Sequence, residues 1–164
     1  VSNELHILCG LPCSGKSTLA KKLEVELPGL RLGPDEWLLD LIPDRNQEEV
    51  GRQRPILNSI QWELAQRVLA LGSNVILEHG FWSPRERLTA VEACNLKGVA
   101  IHLHYMKVKM SVLKLRLERR NADLPKDCFY IEPKHLEEWA PDFIPPDSEE
   151  LKLYTNFEIY EPDI

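Results

Sequence analysis

Eight consecutive residues concentrate the chemistry that can be read directly from this 164-residue chain. Gly10-Leu11-Pro12-Cys13-Ser14-Gly15-Lys16-Ser17 has the G-x-x-x-x-G-K-S spacing of a phosphate-binding P-loop. Each fixed position answers a physical need. The glycines permit a tight loop whose backbone N–H groups turn inward around phosphate oxygens. Lys16 brings a point charge to the β- and γ-phosphates, and the Ser17 hydroxyl can ligate Mg²⁺. A helix that starts there aims the positive end of its dipole at the anion. Gly10, Leu11, Pro12, Cys13, Ser14, Gly15, Lys16, Ser17 and Thr18 are therefore the candidate nucleotide-binding residues. The chain has neither an N-K-x-D guanine-reading pattern nor a D-x-x-G switch, which argues against a GTPase. It is also short for an ATPase module carrying an added helical lid domain.

The elements around the loop come in the order such a site needs. Residues 5–9 form a short apolar run, a buried strand by length, and residues 17–27 carry Leu19, Ala20, Leu23 and Leu27 at helical spacing. Pro28-Gly29 stops that helix, and residues 30–33 read as a second strand. Residues 54–71 predict an amphipathic helix with a face of Leu57, Ile60, Leu64, Val68 and Leu71, closed by Gly72. A third strand at 74–77 leads into His79-Gly80-Phe81-Trp82. Ser83-Pro84-Arg85-Glu86 is a capping box with proline at the first helical position, and its helix runs to about 95. A strand at 99–105, helices at 109–120 and 133–139, and an edge strand at 157–160 complete the pattern. Strands alternating with helices imply a mostly parallel sheet covered on both faces. The Pro-rich stretch 141–146 reads as a local turn, so 1–164 is taken as one domain.

Composition removes other classes. With 43% hydrophobic and 28% charged residues the chain is globular. No apolar run reaches the ~18–20 residues of a membrane span. Residues 1–10 include Glu4 and lack a basic leader, so they read as a strand rather than a signal peptide. Cys9, Cys13, Cys94 and Cys128 form no C-x-x-C pair, and a reducing, cytoplasmic setting is expected. The net charge of −6 argues against a non-specific nucleic-acid coat. Its distribution narrows that exclusion. Residues 132–163 hold ten acids and two lysines, whereas residues 107–126 hold seven Lys/Arg and two acids, a net +5.

Several marks together give the chain a resemblance. They are the P-loop, Gly33-Pro34-Asp35-Glu36-Trp37 after strand two, Leu77-Glu78-His79-Gly80-Phe81-Trp82-Ser83 after strand three, and Arg116 with Arg119-Arg120-Asn121. Over nearly its whole length the chain resembles the small P-loop kinases related to polynucleotide kinase, zeta toxin, chloramphenicol phosphotransferase and gluconate kinase. Within that group it looks most like the predicted-kinase branch. The resemblance implies a P-loop NTPase fold of three α/β/α layers, with a five-stranded, mostly parallel sheet and a helical lid at about 114–131. It implies that Asp35 accepts the proton of the attacking hydroxyl, with Glu36 as the neighbouring fallback. A carboxylate there also suits the N-cap of a helix starting near Glu36. By the same resemblance Glu78 and Ser17 organise Mg²⁺, although relatives commonly carry Asp at the position of Glu78. Arg116 and Arg120 lie one turn apart, so they can clamp phosphate oxygens from one helix face, with Arg119 competing.

The acceptor side is set by residues next to these ends. Trp37, Phe81 and Trp82 are candidates for an aromatic wall, or else core. Arg54, with Arg45 and Arg52, could meet an anionic acceptor or face water, and Arg85 in a first helical turn hints at an anionic partner. His79 is read as a wall residue. The expected activity is transfer of the ATP γ-phosphoryl group, with Mg²⁺, to a hydroxyl of a small molecule. Catalysis would fall to Asp35, Lys16, Arg116 and Arg120. A nucleic-acid 5′-hydroxyl or a sugar nucleotide is the alternative acceptor, and a nucleotide-sensing ATPase module the alternative class. Neither a membrane nor an obligate protein partner is implied.

Overall fold

The computed structural model describes residues 3–162. Its elements are β1 (Glu4–Cys9), α1 (Lys16–Glu26), β2 (Gly29–Leu32), α2 (Pro34–Leu41), α3 (Gln47–Ala70), β3 (Asn74–Gly80) and α4 (Pro84–Lys97). After them come β4 (Ala100–Met106), α5 (Met110–Ala122), α6 (Pro133–Trp139), α7 (Ser148–Leu151) and β5 (Asn156–Tyr160). The strands form one sheet in the order β2-β3-β1-β4-β5, and every pairing is parallel. The order of the chain reverses at β1, so the loops leaving β1 and β3 border the crevice where open α/β sheets bind ligands.

Strand alternation decides what lies on each face. Leu5, Ile7 and Cys9 of β1 join Val75, Leu77, Ile101, Leu103 and Tyr105 in the main core, covered by Ala65 and Leu69 of α3 and by Ala90, Val91 and Cys94 of α4. Leu8 and Ile76 point the other way, onto Ala20 and Leu23 of α1. Two smaller cores lie outside the sheet. Leu38, Ile42, Val50 and Leu57 bury Phe129, and Leu113, Leu117 and Leu136 join α5 to α6.

The long helix differs most from its sequence reading. It starts at Gln47 with Asn46 as its cap, and the Asn46 side chain accepts from the Glu49 N–H. Gly51 and Pro55 look like breakers in the sequence. Both lie inside the helix: Pro55 has no N–H to give the Gly51 carbonyl one turn back, and the later turns, packed on the sheet, offset that loss. Its buried face is Val50, Leu57, Gln61, Ala65 and Leu69. Ile60 and Leu71 are exposed instead, at 52% and 84%. A polar residue at the centre of that face, Gln61, rotates the apparent stripe. Likewise β3 continues through Glu78 and His79 to Gly80, and α2 begins at Pro34 with Gly33 as its cap. Asp35 thus sits in the first turn rather than at the N-cap.

Candidate active site

The loop between β1 and α1 has the backbone a phosphate cradle requires. Gly10 and Gly15 have φ of 154° and 100°, and Cys13, at 64°, is also left-handed. A Cβ on Gly10 would lie 2.8 Å from Ser14 Oγ, so side chains are excluded from the loop mouth. Ser14 Oγ is buried and has no hydrogen-bond partner among the described residues. Lys16 Nζ donates to the carbonyls of Gly10 (3.0 Å) and Leu11 (2.7 Å). Burial pushes its ammonium down to about 8, and Asp35 is the largest charge pulling it back up. An orphaned hydroxyl and a poorly hydrated cation around a glycine cradle fit a phosphate group.

The strand ends fix this loop. Gly10 N–H donates to Gly80 O (2.9 Å), and Trp82 Nε1 donates to Gly10 O (3.2 Å). The turn that delivers Trp82 passes through Phe81, whose φ is 51°. Its carbonyl is gripped by Arg87 Nη1 at 2.8 Å. Arg87 is fully buried and makes a two-pronged ion pair with Glu150, Nε to Oε1 at 2.6 Å and Nη2 to Oε2 at 2.9 Å. Neither Arg87 nor Glu150 stands out in the sequence. The only signal is a cation on the core face of the capped helix.

Asp35 follows β2 in the first turn of α2 and is held by Arg54 Nη1 at 2.7 Å. Its carboxylate is about half exposed and within electrostatic reach of Lys16. Glu78 is buried and bonds Arg31 Nη1 at 2.7 Å. Arg31 also binds Glu24 and Glu36, each at 2.8 Å. Arg31 was invisible to sequence reasoning, because a charge on a four-residue edge strand reads as solvated. Behind Asp35, Gln61 donates to Gly33 O (3.1 Å), and its Oε1 accepts from His79 Nε2 (2.9 Å). Burial, aided by the charge of Arg54, pushes His79 down to about 4, so the ring is neutral near pH 7 and serves as wall.

The arginines of α5 are placed differently. Arg116 Nη1 donates to the carbonyls of Cys13 and Ser14, both at 3.4 Å, and Arg120 Nη2 to Phe129 O at 3.1 Å. Burial raises the Cys13 thiol, while Arg120, Lys16 and Arg116 pull it back, so three cations converge on the loop. Arg119 points to solvent. The segment after α5 is docked: Phe129 is buried among α2 and α3 residues, Lys21 binds Asp127 (2.9 Å), and Arg45 bonds the carbonyls of Lys126 and Cys128.

Four acceptor-side residues are placed by the structure in the core, on a loop or in solvent. Phe81 is 5% exposed in the main core, since its left-handed turn points the ring inward, so it packs rather than lines a pocket. Arg45 is spent on the loop carbonyls just named. Arg52 is exposed on the first turns of α3 and pairs with Glu49. Arg85 is exposed as well, two positions before the buried Arg87. Trp37 and Trp82 remain partly exposed beside the site, together with Arg54.

A family model described as AAA domain matches residues 5–145. The chain belongs to that family. Its fold is shared with solved P-loop structures. A candidate kinase from Chloroflexus aurantiacus is 20% identical, with a TM-score of 0.76 over 98% of this chain and 85% of that one. A gluconokinase from Sinorhizobium meliloti is 17% identical, with a TM-score of 0.60 over 98% and 82%. Kti12 from Chaetomium thermophilum, solved with ADP-AlF3, is 15% identical, with a TM-score of 0.69 over 97% and 89%. No curated protein matches the chain. The AAA-domain chain therefore has the kinase-like P-loop fold expected from its motifs, with all five strands parallel. No helix among the described residues is long and apolar enough to cross a membrane.

Proposed function

We propose that this AAA-domain chain is an ATP- and Mg²⁺-dependent kinase that phosphorylates a hydroxyl of a small-molecule acceptor. The observation that carries the proposal is the placement of Asp35. It is a carboxylate open to solvent, held by Arg54 at 2.7 Å, and it is the dominant charge acting on the P-loop lysine. A nucleotide sensor needs the lysine but not a restrained carboxylate beside it. The glycine cradle, Ser14 and Lys16 would hold the β- and γ-phosphates, and Ser17 with Glu78 would hold Mg²⁺, which screens phosphate charge when bound. Because Arg31 occupies Glu78 Oε1, that carboxylate suits a water-mediated contact.

The chain's own residues then have separate tasks. Arg54 orients Asp35, Asp35 orients the acceptor hydroxyl and takes its proton, and the hydroxyl oxygen forms the new bond to phosphorus as ADP leaves. Arg116 and Arg120 offset charge on the transferring oxygens. Trp37, Trp82 and Arg54 line the acceptor side. The test is an acceptor screen that reads ADP release, in parallel with transfer of labelled γ-phosphate to a short oligonucleotide. Acceptor-stimulated ADP release that falls ~10²–10⁴-fold in Asp35→Asn supports the assignment. Labelled oligonucleotide would move the acceptor class to nucleic-acid ends. Tight ATP binding with no stimulation by any acceptor would favour the sensor reading.

A further inference from the structure

The stripe of α3 that faces the turn between β2 and α2 carries three polar side chains, Arg54, Asn58 and Gln61, spaced i, i+4 and i+7. Both ends of the stripe are anchored. Arg54 holds Asp35 at 2.7 Å, and Gln61 bonds Gly33 O at 3.1 Å and His79 Nε2 at 2.9 Å. Asn58 lies between them, about 6 Å along the helix axis from Arg54 and ~4.5 Å from Gln61. Its Oδ1 is buried and has no hydrogen-bond partner among the described residues. An unpaired buried oxygen is a cost to the fold, so one placed between two satisfied neighbours asks for a partner from outside the chain.

A second lone pair belongs to the same cluster. Gly33 O can only accept, so the Gln61 amide must turn its N–H₂ toward Gly33 and its Oε1 toward His79. His79 therefore carries its proton on Nε2 and a lone pair on Nδ1. No described residue bonds that Nδ1. Phe81 stacks on the ring face, with centroids 5.9 Å apart and planes 16° apart, and this leaves the lone pair clear, because it lies in the ring plane. Burial, with the charge of Arg54, pushes the ring down to about 4, so Nδ1 stays an acceptor near neutral pH.

We propose that Asn58 and His79 are specificity residues that bind a second hydroxyl of the acceptor, so that the substrate is a neutral polyol or sugar rather than an anion or a simple alcohol. The inference rests on the kinase reading above, in which Asp35 takes the reacting hydroxyl. A hydroxyl donates to either lone pair and also accepts from the Asn58 amide N–H. A phosphate or carboxylate oxygen only accepts, and it would set its lone pairs against those of Oδ1 and Nδ1. An ammonium donates, but the Arg54 charge beside the ring repels it. Trp37 and Trp82, partly exposed beside the site, offer ring faces to the C–H groups of such a molecule.

The test pairs polyols with analogues lacking one hydroxyl or more, glycerol with propanol, ribose with deoxyribose and glucose with deoxyglucose, and reads ADP release with ATP and Mg²⁺. At least one polyol should stimulate release, and its poorer partner should be weaker by ~10²-fold or more in kcat/KM. In Asn58→Leu and in His79→Phe that discrimination should shrink at least ~tenfold, through the KM for the acceptor rather than the KM for ATP. Asn58→Leu removes an unsatisfied oxygen at similar volume, so the Tm of the ligand-free chain should not fall. His79→Phe takes a donor from Gln61, so Asn58→Leu decides alone if that variant does not fold. The inference is overturned, with the kinase reading intact, if the poorer partners or an oligonucleotide end serve as well as any polyol. It is also overturned if discrimination survives in Asn58→Leu, or if that variant lowers Tm and leaves the acceptor KM in place. If no acceptor stimulates release, the kinase reading fails, and calorimetry of the same polyols on the chain loaded with a non-hydrolysable ATP analogue decides. Binding that Asn58→Leu abolishes upholds the site, and no binding overturns it.

Discussion

Replacing Glu150 by alanine should destabilise the whole domain, although Glu150 lies on a four-residue helix near the end of the sheet. Its carboxylate is 10% exposed and faces a fully buried Arg87. It also accepts from Tyr154 O–H at 3.0 Å. Arg87 cannot lose its proton, so removing Glu150 leaves a guanidinium in the core with the Phe81 carbonyl as its remaining acceptor. Breaking a buried pair in this way costs about 3–5 kcal/mol. For a domain of this size 1 kcal/mol moves Tm by roughly 2–4 °C, so Tm should fall by about 6–20 °C. The neighbouring pair Lys152–Glu149 is the internal control. Both partners are exposed, and Glu149→Ala should cost less than about 1 kcal/mol. Urea denaturation and thermal melts measure both variants. The double change Arg87→Met with Glu150→Leu should recover most of the loss, because it removes both charges. If Glu150→Ala costs no more than Glu149→Ala, the buried pair does not hold the Phe81 turn and the reasoning fails.

Other outcomes follow from the same geometry. Lys16 titrates near 8 in the nucleotide-free fold against an ordinary 10.5. Its charged form binds phosphate, so apparent nucleotide affinity should weaken up to ~tenfold per pH unit above pH 8, as equilibrium titrations at several pH values would show. The sign for stability is opposite. Between pH 8 and 10.5 the unfolded chain holds the proton the fold releases, so this group makes the nucleotide-free chain more stable as pH rises through that window. Arg116→Ala and Arg120→Ala should each lower turnover by at least ~tenfold in the ADP-release assay, and Arg119→Ala should leave it unchanged. Arg31→Ala should leave the buried Glu78 unpaired and cost ~3 kcal/mol in urea denaturation.

Much of the site could be read in one dimension because its parts are local. A P-loop is a run of eight residues, and its glycines, lysine and serine are set by the loop's own backbone. Strand and helix alternation is likewise local, and it led to the parallel sheet. Asp35 is singled out by the resemblance, and its address suits it, because strand ends border the ligand crevice in such a sheet. The reading failed where a residue's role depends on a distant partner. Spacing leaves Phe81 open between pocket wall and core, and only the turn held by Arg87 puts it in the core. The face of α3 was misjudged because Gln61, at its centre, is satisfied by Gly33 and His79.

The sequence by itself determined that this chain carries a P-loop, and in what kind of fold, since backbone geometry and periodicity are written in neighbouring residues. Tertiary structure alone decided which charges are buried in pairs. Arg31 finds Glu78 across 47 positions, and Arg87 finds Glu150 across 63. Desolvating an arginine is tolerable only against a partner, and a partner that far away is chosen by the sheet order and the loops, not by spacing along the chain.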